Sequence, residues 1–199
     1  MRLFVTTPSP CIRLCVALPI CLRDLSTARL AVFAGDGRFA VTPSQMQGRP
    51  MDYEDILFEE KNRVATITLN RPDRYNALRT PGYYELLDAI KEGGWNRDNV
   101  AVVLTGAGDR AFCTGGDQQD KASGARQGRG TVKVPVEEIH AAIRDVPVPV
   151  IAKVRGYAIG GGNVLATLCD ITIASENAIF GQVGPKVGSV DPGFGTAYL

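Results

Sequence analysis

The sequence is poor in the residues that build metal and disulfide sites. It has one His, and its five Cys include no CxxC pair. Neither a His-rich metal site nor a thioredoxin-like redox motif can be assembled from that set. Three of the Cys fall within the first 21 residues, which does not resemble a disulfide framework. Charge is nearly balanced, with 22 basic and 21 acidic side chains and a net charge of +1. A basic footprint for nucleic acid is therefore absent. There is no apolar run of 18 residues, so a membrane-spanning helix is excluded.

What remains is an ordinary globular composition, 45% hydrophobic and 22% charged over 199 residues. That length suffices for one domain with a real core. The unusual number is 22 Gly, many of them in a few short clusters.

The chain changes character near Met51. Residues 1–50 hold six Arg, no Lys and two acids, together with five of the 12 Pro. They show no sustained helical or strand period. The stretch Cys11–Leu22 is broken by Arg13 and Pro19, and no clear cleavage site follows it. Residues 1–50 are expected to be a disordered extension outside the folded region, with translation starting at Met51; a transit peptide is the alternative reading.

Residues 51–199 read as one α/β domain. Ile56–Glu60 and Val64–Leu69 alternate and form a hairpin around Asn62. Pro81 opens a helix with Tyr83, Leu86, Leu87 and Ile90 on one face, and Gly93-Gly94 is expected to end it. Val100–Leu104 and Val150–Val154 are apolar strands of the kind buried on both faces. Residues 118–133 read as a polar, mobile loop. Val136–Arg144 and Gly162–Cys169 read as helices, and Ile171–Ala174 and Ala178–Phe180 as strands. Gly195–Leu199 resembles the first turn of a helix that is not completed, so the chain is expected to be truncated.

Two glycine clusters follow buried strands. The first is Phe112-Cys113-Thr114-Gly115-Gly116-Asp117; the second is Gly156-Tyr157-Ala158-Ile159-Gly160-Gly161-Gly162-Asn163. Glycine lets the backbone turn sharply and lets a ligand approach bare amides. The second cluster runs into a helix, whose first amides are unpaired and carry partial positive charge. Two such amides aimed at one point make an oxyanion hole. Neither cluster ends in GK[ST], so neither is a P-loop. Gly106–Ala111 fits GxGxxA, but no helix follows it and no acid-ended strand comes about 20 residues later. Tight structural turns remain the alternative. His140, beside Ile139 and Ile143, reads as structural; Cys113 and Cys169 read as buried packing. Ser189 and Asp191, in a Gly/Pro-rich turn, are either a local turn or a hydrogen-bonded pair facing the site.

Residues 51–199 resemble the crotonase (enoyl-CoA hydratase/isomerase) superfamily. The resemblance is carried by Leu69-Asn70-Arg71-Pro72 with Asn76-Ala77-Leu78, Phe112–Asp117, Gly156–Gly162 and Phe180-Gly181-Gln182, in family order and spacing. It implies a partial crotonase-like ββα superhelix lacking its C-terminal helices. It also implies an acyl-CoA substrate, with the thioester oxygen held by the amides of Gly116 and Gly161. The implied substrate and CoA contacts are Asn76, Ala77, Leu78, Thr114, Gly115, Asp117, Gln118, Tyr157, Ala158, Ile159, Gly160, Gln182, Val183 and Gly184.

Ordinary hydratases of the family carry Glu where this chain has Val164 and Gly184, so hydration by paired carboxylates is not expected. Gly181–Asp191 instead resembles 2-ketocyclohexanecarboxyl-CoA hydrolase and 1,4-dihydroxy-2-naphthoyl-CoA synthase. The turn Ser189-Val190-Asp191-Pro192-Gly193 and residues 129–140 are similar to the hydrolase. The resemblance therefore favours ring opening of a β-keto thioester, with Ser189 and Asp191 as catalytic residues. Dieckmann ring closure and an inactive fragment are the alternatives. By the same resemblance no cofactor is tightly bound and no metal is used, CoA is part of the substrate, and some synthases recruit bicarbonate through the residue matching Gln182. A cytoplasmic homo-oligomer, trimer or hexamer, without nucleic-acid or membrane partners is expected.

Overall fold

The computed structural model describes residues 52–124, Arg126, Gly128 and 132–188. The extension 1–50, the terminal turn at Gly195–Leu199 and the pair Ser189 and Asp191 lie outside the described residues.

The hairpin forms as the alternation requires. Strands β1 (Ile56–Lys61) and β2 (Val64–Leu69) pair antiparallel, with Lys61 opposite Val64. Asn62 and Arg63 between them both have positive φ, 52° and 65°. That backbone twist is the one a two-residue hairpin loop needs. Strand β2 then pairs in parallel with β3 (Ala101–Gly106), β3 with β5 (Val150–Val154), and β5 with β7 (Ile171–Ala174). The result is a five-stranded sheet in the order β1-β2-β3-β5-β7.

The helix α1 (Thr80–Trp95) buries Tyr83, Leu86, Leu87 and Ile90, the face read from the sequence. It packs against the sheet and against α3 (Val136–Asp145). The expected stop at Gly93-Gly94 is not there, because the helix runs on to Trp95. Those glycines mark close packing instead. A Cβ on Gly93 would lie 2.6 Å from the Ala65 Cβ, and one on Gly94 would lie 2.4 Å from Val146.

Three further expectations are corrected. Segment 118–133 opens with a short helix, α2 (Gln118–Ala122), because the Asp117 side chain caps the amides of Gln119 and Asp120. Val100 lies outside β3 and is 46% exposed, and Val103 and Thr105 are only half-buried. The alternating burial of β2 and β3 shows that one face of this sheet is covered more fully than the other. The last strand, β8, is Ile179–Gly181 rather than Ala178–Phe180.

A second sheet has no counterpart in the periodicity. Its parallel strands are β4 (Ala111–Cys113), β6 (Tyr157–Ile159) and β8, in the order β4-β6-β8. Each is three residues long, too short to show an alternation. The helix α4 (Gly161–Leu168) follows β6 directly.

Candidate active site

Both glycine clusters leave the small sheet at the same edge. Strands β4 and β6 are neighbours and run in parallel, so their C-terminal ends emerge side by side. Ala111 is opposite Tyr157, but Cys113 is opposite Ala158, so a bulge at Phe112 shifts the register by one. The pairing ends at Cys113 and Ala158. The chain departs from strand geometry there, yet the two loops stay in contact. A Cβ on Gly115 would lie 2.9 Å from the Gly161 nitrogen, and one on Gly161 would lie 3.2 Å from the Gly115 Cα.

Among the described residues the main-chain amides of Gly116 and Gly161 are left without partners. Leu78 donates to the Gly115 carbonyl and accepts from the Asp117 amide, both at 2.8 Å. This places Leu78 on one side of Gly116 in a parallel bridge. The N–H of Gly116 therefore points the other way, toward the β6 side. Gly161 is the first residue of α4 and has no intrahelical acceptor for its N–H. Among the described residues neither amide has a hydrogen-bond acceptor.

Two glycines make this approach possible. Gly160 adopts φ 55°, ψ −121°, a conformation open to glycine alone among ordinary residues. A Cβ on Gly162 would lie 1.9 Å from the Cys113 carbonyl oxygen, so the start of α4 rests directly on β4.

Side chains hold the first loop from behind. Asn76 is buried; its amide donates to the carbonyls of Ala107 and Ala111, and its oxygen accepts from the Arg71 amide. It therefore pins the turn that presents Ala77 and Leu78. Arg71 Nη1 donates to the Ala77 carbonyl at 2.6 Å and to Asp117 Oδ2 at 2.9 Å. Burial works to raise the Asp117 pKa, but Arg71 and the capped amides of Gln119 and Asp120 outweigh it. The carboxyl is held below its ordinary value.

The loops open into a cavity of about 140 Å³. Leu78, Thr114, Gly115, Gly116 and Gln118 line it from the first loop. Gly160, Gly161, Gln182, Val183 and Gly184 line it from the second loop and the segment after β8. The other expected contacts do not. Asn76 and Asp117 are structural staples, and Ala158 is buried in the small sheet. Tyr157 is 42% exposed and stacks edge-on against Tyr75. Ala77 and Ile159 are also outside the lining. Val164 and Gly184 both face the cavity, and among the described residues no acidic side chain lines it.

Comparison with known proteins meets this geometry. The sequence profile described as enoyl-CoA hydratase/isomerase matches residues 59–199. The chain belongs to the enoyl-CoA hydratase/isomerase family. It is similar to an enoyl-CoA hydratase/carnithine racemase from Magnetospirillum magneticum, with 32% identity over 73% of this chain and 55% of that one, at a TM-score of 0.66. It is also similar to an enoyl-CoA hydratase subunit I from Geobacillus kaustophilus, with 33% identity over 72% and 55% and a TM-score of 0.62. An enoyl-CoA hydratase from Bacillus anthracis gives 29% identity over 70% and 54%, with a TM-score of 0.62. The chain spans a little over half the length of each of these relatives. The mixed α/β architecture above is thus the crotonase fold.

Several residues at this family site were not singled out from sequence. Tyr83, Lys121, Arg126, His140 and Leu165 all line the cavity. His140 is buried, and burial lowers its pKa, with Glu137 opposing. It is therefore a neutral imidazole in the cavity wall. Cys113 and Cys169 are buried thiols, as read from the sequence, and burial pushes each up to about 12. Neither is a thiolate nucleophile at neutral pH. Among the described residues no cluster of His, Cys, Asp and Glu could hold a metal, and no helix is long and apolar enough to cross a membrane.

Proposed function

We propose that this chain is an acyl-CoA enzyme that opens a β-keto ring thioester, of the 2-ketocyclohexanecarboxyl-CoA type, with water. The observation that carries the reading is a cavity lined by both Gly116 and Gly161, whose amides have no acceptor among the described residues, and by no acidic side chain among those residues. Two donors preset in a low-dielectric cavity stabilise a thioester oxygen as it becomes an enolate. Val164 and Gly184 supply no carboxylate for the addition of water to a double bond. CoA runs along Leu78, at the end of the turn that Asn76 pins, and the first glycine loop. The thioester oxygen sits between Gly116 and Gly161. Asp191, oriented through Ser189, positions water and relays the proton, and the product is pimeloyl-CoA.

A specific observation favours a second reading, ring closure. The Gln182 Nε2 is buried, lines the cavity beside Gly184 and has no acceptor among the described residues. An oxyanion of bicarbonate size fits that orphaned donor. When bound, bicarbonate would supply a carboxylate-like base where Gly184 supplies none.

One assay separates the readings. The chain is incubated with 2-ketocyclohexanecarboxyl-CoA and, in parallel, with the naphthoquinone precursor ester, each with and without bicarbonate. Release of pimeloyl-CoA independent of bicarbonate is the expected result. Turnover of the precursor ester alone would establish ring closure, and turnover of neither would remove both readings.

A further inference from the structure

Two side chains crowd the outer side of Gly116. A Cβ on that residue would lie 2.6 Å from Arg126 Nη2 and 3.0 Å from Tyr83 Oη. The missing side chain is what lets both approach the loop. They come from separate places, Tyr83 from the first turn of α1 and Arg126 from the segment after α2. Both line the cavity.

Arg126 is a costly residue to place there, since only 10% of its side chain is exposed. Asp120 offsets part of that cost, because Arg126 Nε donates to its Oδ2 at 3.2 Å. The same oxygen also accepts from Thr80 at 3.0 Å. Arg126 Nη2 meets the Asp117 carbonyl only at 3.5 Å, the outer limit of a hydrogen bond. The Tyr83 ring lies 5.7 Å from the guanidinium carbon. The Tyr83 hydroxyl also accepts from the guanidinium, and with five N–H donors Arg126 still has more donors than these acceptors use.

A β-keto thioester carries two carbonyl oxygens, one on each side of the carbon between them. The amide pair answers to one of them. We propose that Arg126 and Tyr83 hold the other, the ring-ketone oxygen, first as ketone, then as alkoxide and finally as product carboxylate. This deepens the ring-opening reading and rests on it.

Ring opening puts negative charge on the two oxygens in turn. The oxygen of water bonds to the ketone carbon, its proton passes to Asp191, and the ketone oxygen becomes an alkoxide beside Arg126. The alkoxide then re-forms its double bond, and the ring C–C bond breaks. The electron pair of that bond moves into the thioester, whose oxygen lies between the two amides. Asp191 returns the proton to the α-carbon. The former ketone carbon is left as a carboxylic acid, which ionises beside Arg126. Water is consumed and no electrons are gained or lost. Burial pushes the Tyr83 phenol up to about 12, so it stays protonated and donates throughout.

The test compares two esters of equal acyl length, pimeloyl-CoA, which ends in a carboxylate, and heptanoyl-CoA, which ends in a methyl group. Their affinities are measured by titration calorimetry on the full chain and on the variants Arg126→Gln and Tyr83→Phe. The full chain is expected to bind pimeloyl-CoA at least tenfold more tightly. R126Q should bind both esters alike, at the unmodified chain's affinity for heptanoyl-CoA, and Y83F should keep part of the preference. Equal binding of both esters by the unmodified chain overturns the proposal and leaves the acyl-CoA reading standing. A preference that persists in R126Q overturns it too, as does equal loss of both esters in R126Q. A chain that binds neither ester takes down the acyl-CoA reading and this one together.

Discussion

Replacing Gly161 by Pro removes one N–H at a helix position where Pro is favoured, and Gly115, whose Cα would lie 3.2 Å from the added Cβ, must give by a few tenths of an ångström. Under the proposed function that single donor is one of the two on the thioester oxygen. Its loss should lower kcat about a hundredfold or more while circular dichroism stays unchanged. Turnover equal to the unmodified chain would sink the amide pair. Asp117 offers a separate readout, of stability. Its folded-state pKa is depressed, so its contribution is present above the unfolded value of about 3.9 and lost as pH falls through the folded value. Asp117→Ala should cost about 1–2 kcal/mol at pH 7. The gap between the two denaturation curves should close as pH drops below about 4; a gap constant from pH 7 to pH 3 would contradict the pairing with Arg71. At this scale the sequence was readable where a residue acts through its backbone. The glycine clusters around Gly116 and Gly161 stand out in the sequence, but the pattern alone fits tight turns as well, and only the family resemblance singles out those two amides. Tyr83, Arg126 and His140 do not stand out, because a cavity wall drawn from α1, α3 and a loop leaves no pattern along the chain.

Elements were legible in proportion to their length. The hairpin, α1, α3, β5 and β7 each carry enough residues to show a period. Strands β4 and β6 do not, and β8 was placed only to within a residue, yet all three position the site. Gly93-Gly94 misled for a physical reason, since a helix–sheet contact and a helix end both call for glycine. Gly162 is the contact that joins elements at the site. Its would-be Cβ meets the Cys113 carbonyl at 1.9 Å, and neither partner is a side chain that can rotate away. Gly162→Ala should therefore push α4 off β4. The expected cost is about 2–3 kcal/mol in a urea melt, together with loss of turnover. An unperturbed melt would show that the helix can slide without cost.

At the scale of the whole chain, exposed apolar side chains gather on two strands among the described residues. Strands β7 and β8 end their sheets, and Ile171, Ile173, Ile179 and Phe180 are each 44% to 60% exposed. Unpaired strand edges with apolar side chains invite pairing with another copy. The chain should sediment faster as its concentration rises, and Ile173→Glu should shift it toward the monomer. Concentration-independent sedimentation of the unmodified chain would rule this out.

The bulge at Phe112 has a wider consequence. It sets the register of β4 against β6 through the main chain, and the side chains of Asn76, Arg71 and Asp117 then hold the loop that follows. Wall residues such as Val136 and Ile139 come from α3, outside that frame, so they shape the acyl space from a separate element. The architecture thus separates the frame of the donors from the lining around the acyl group.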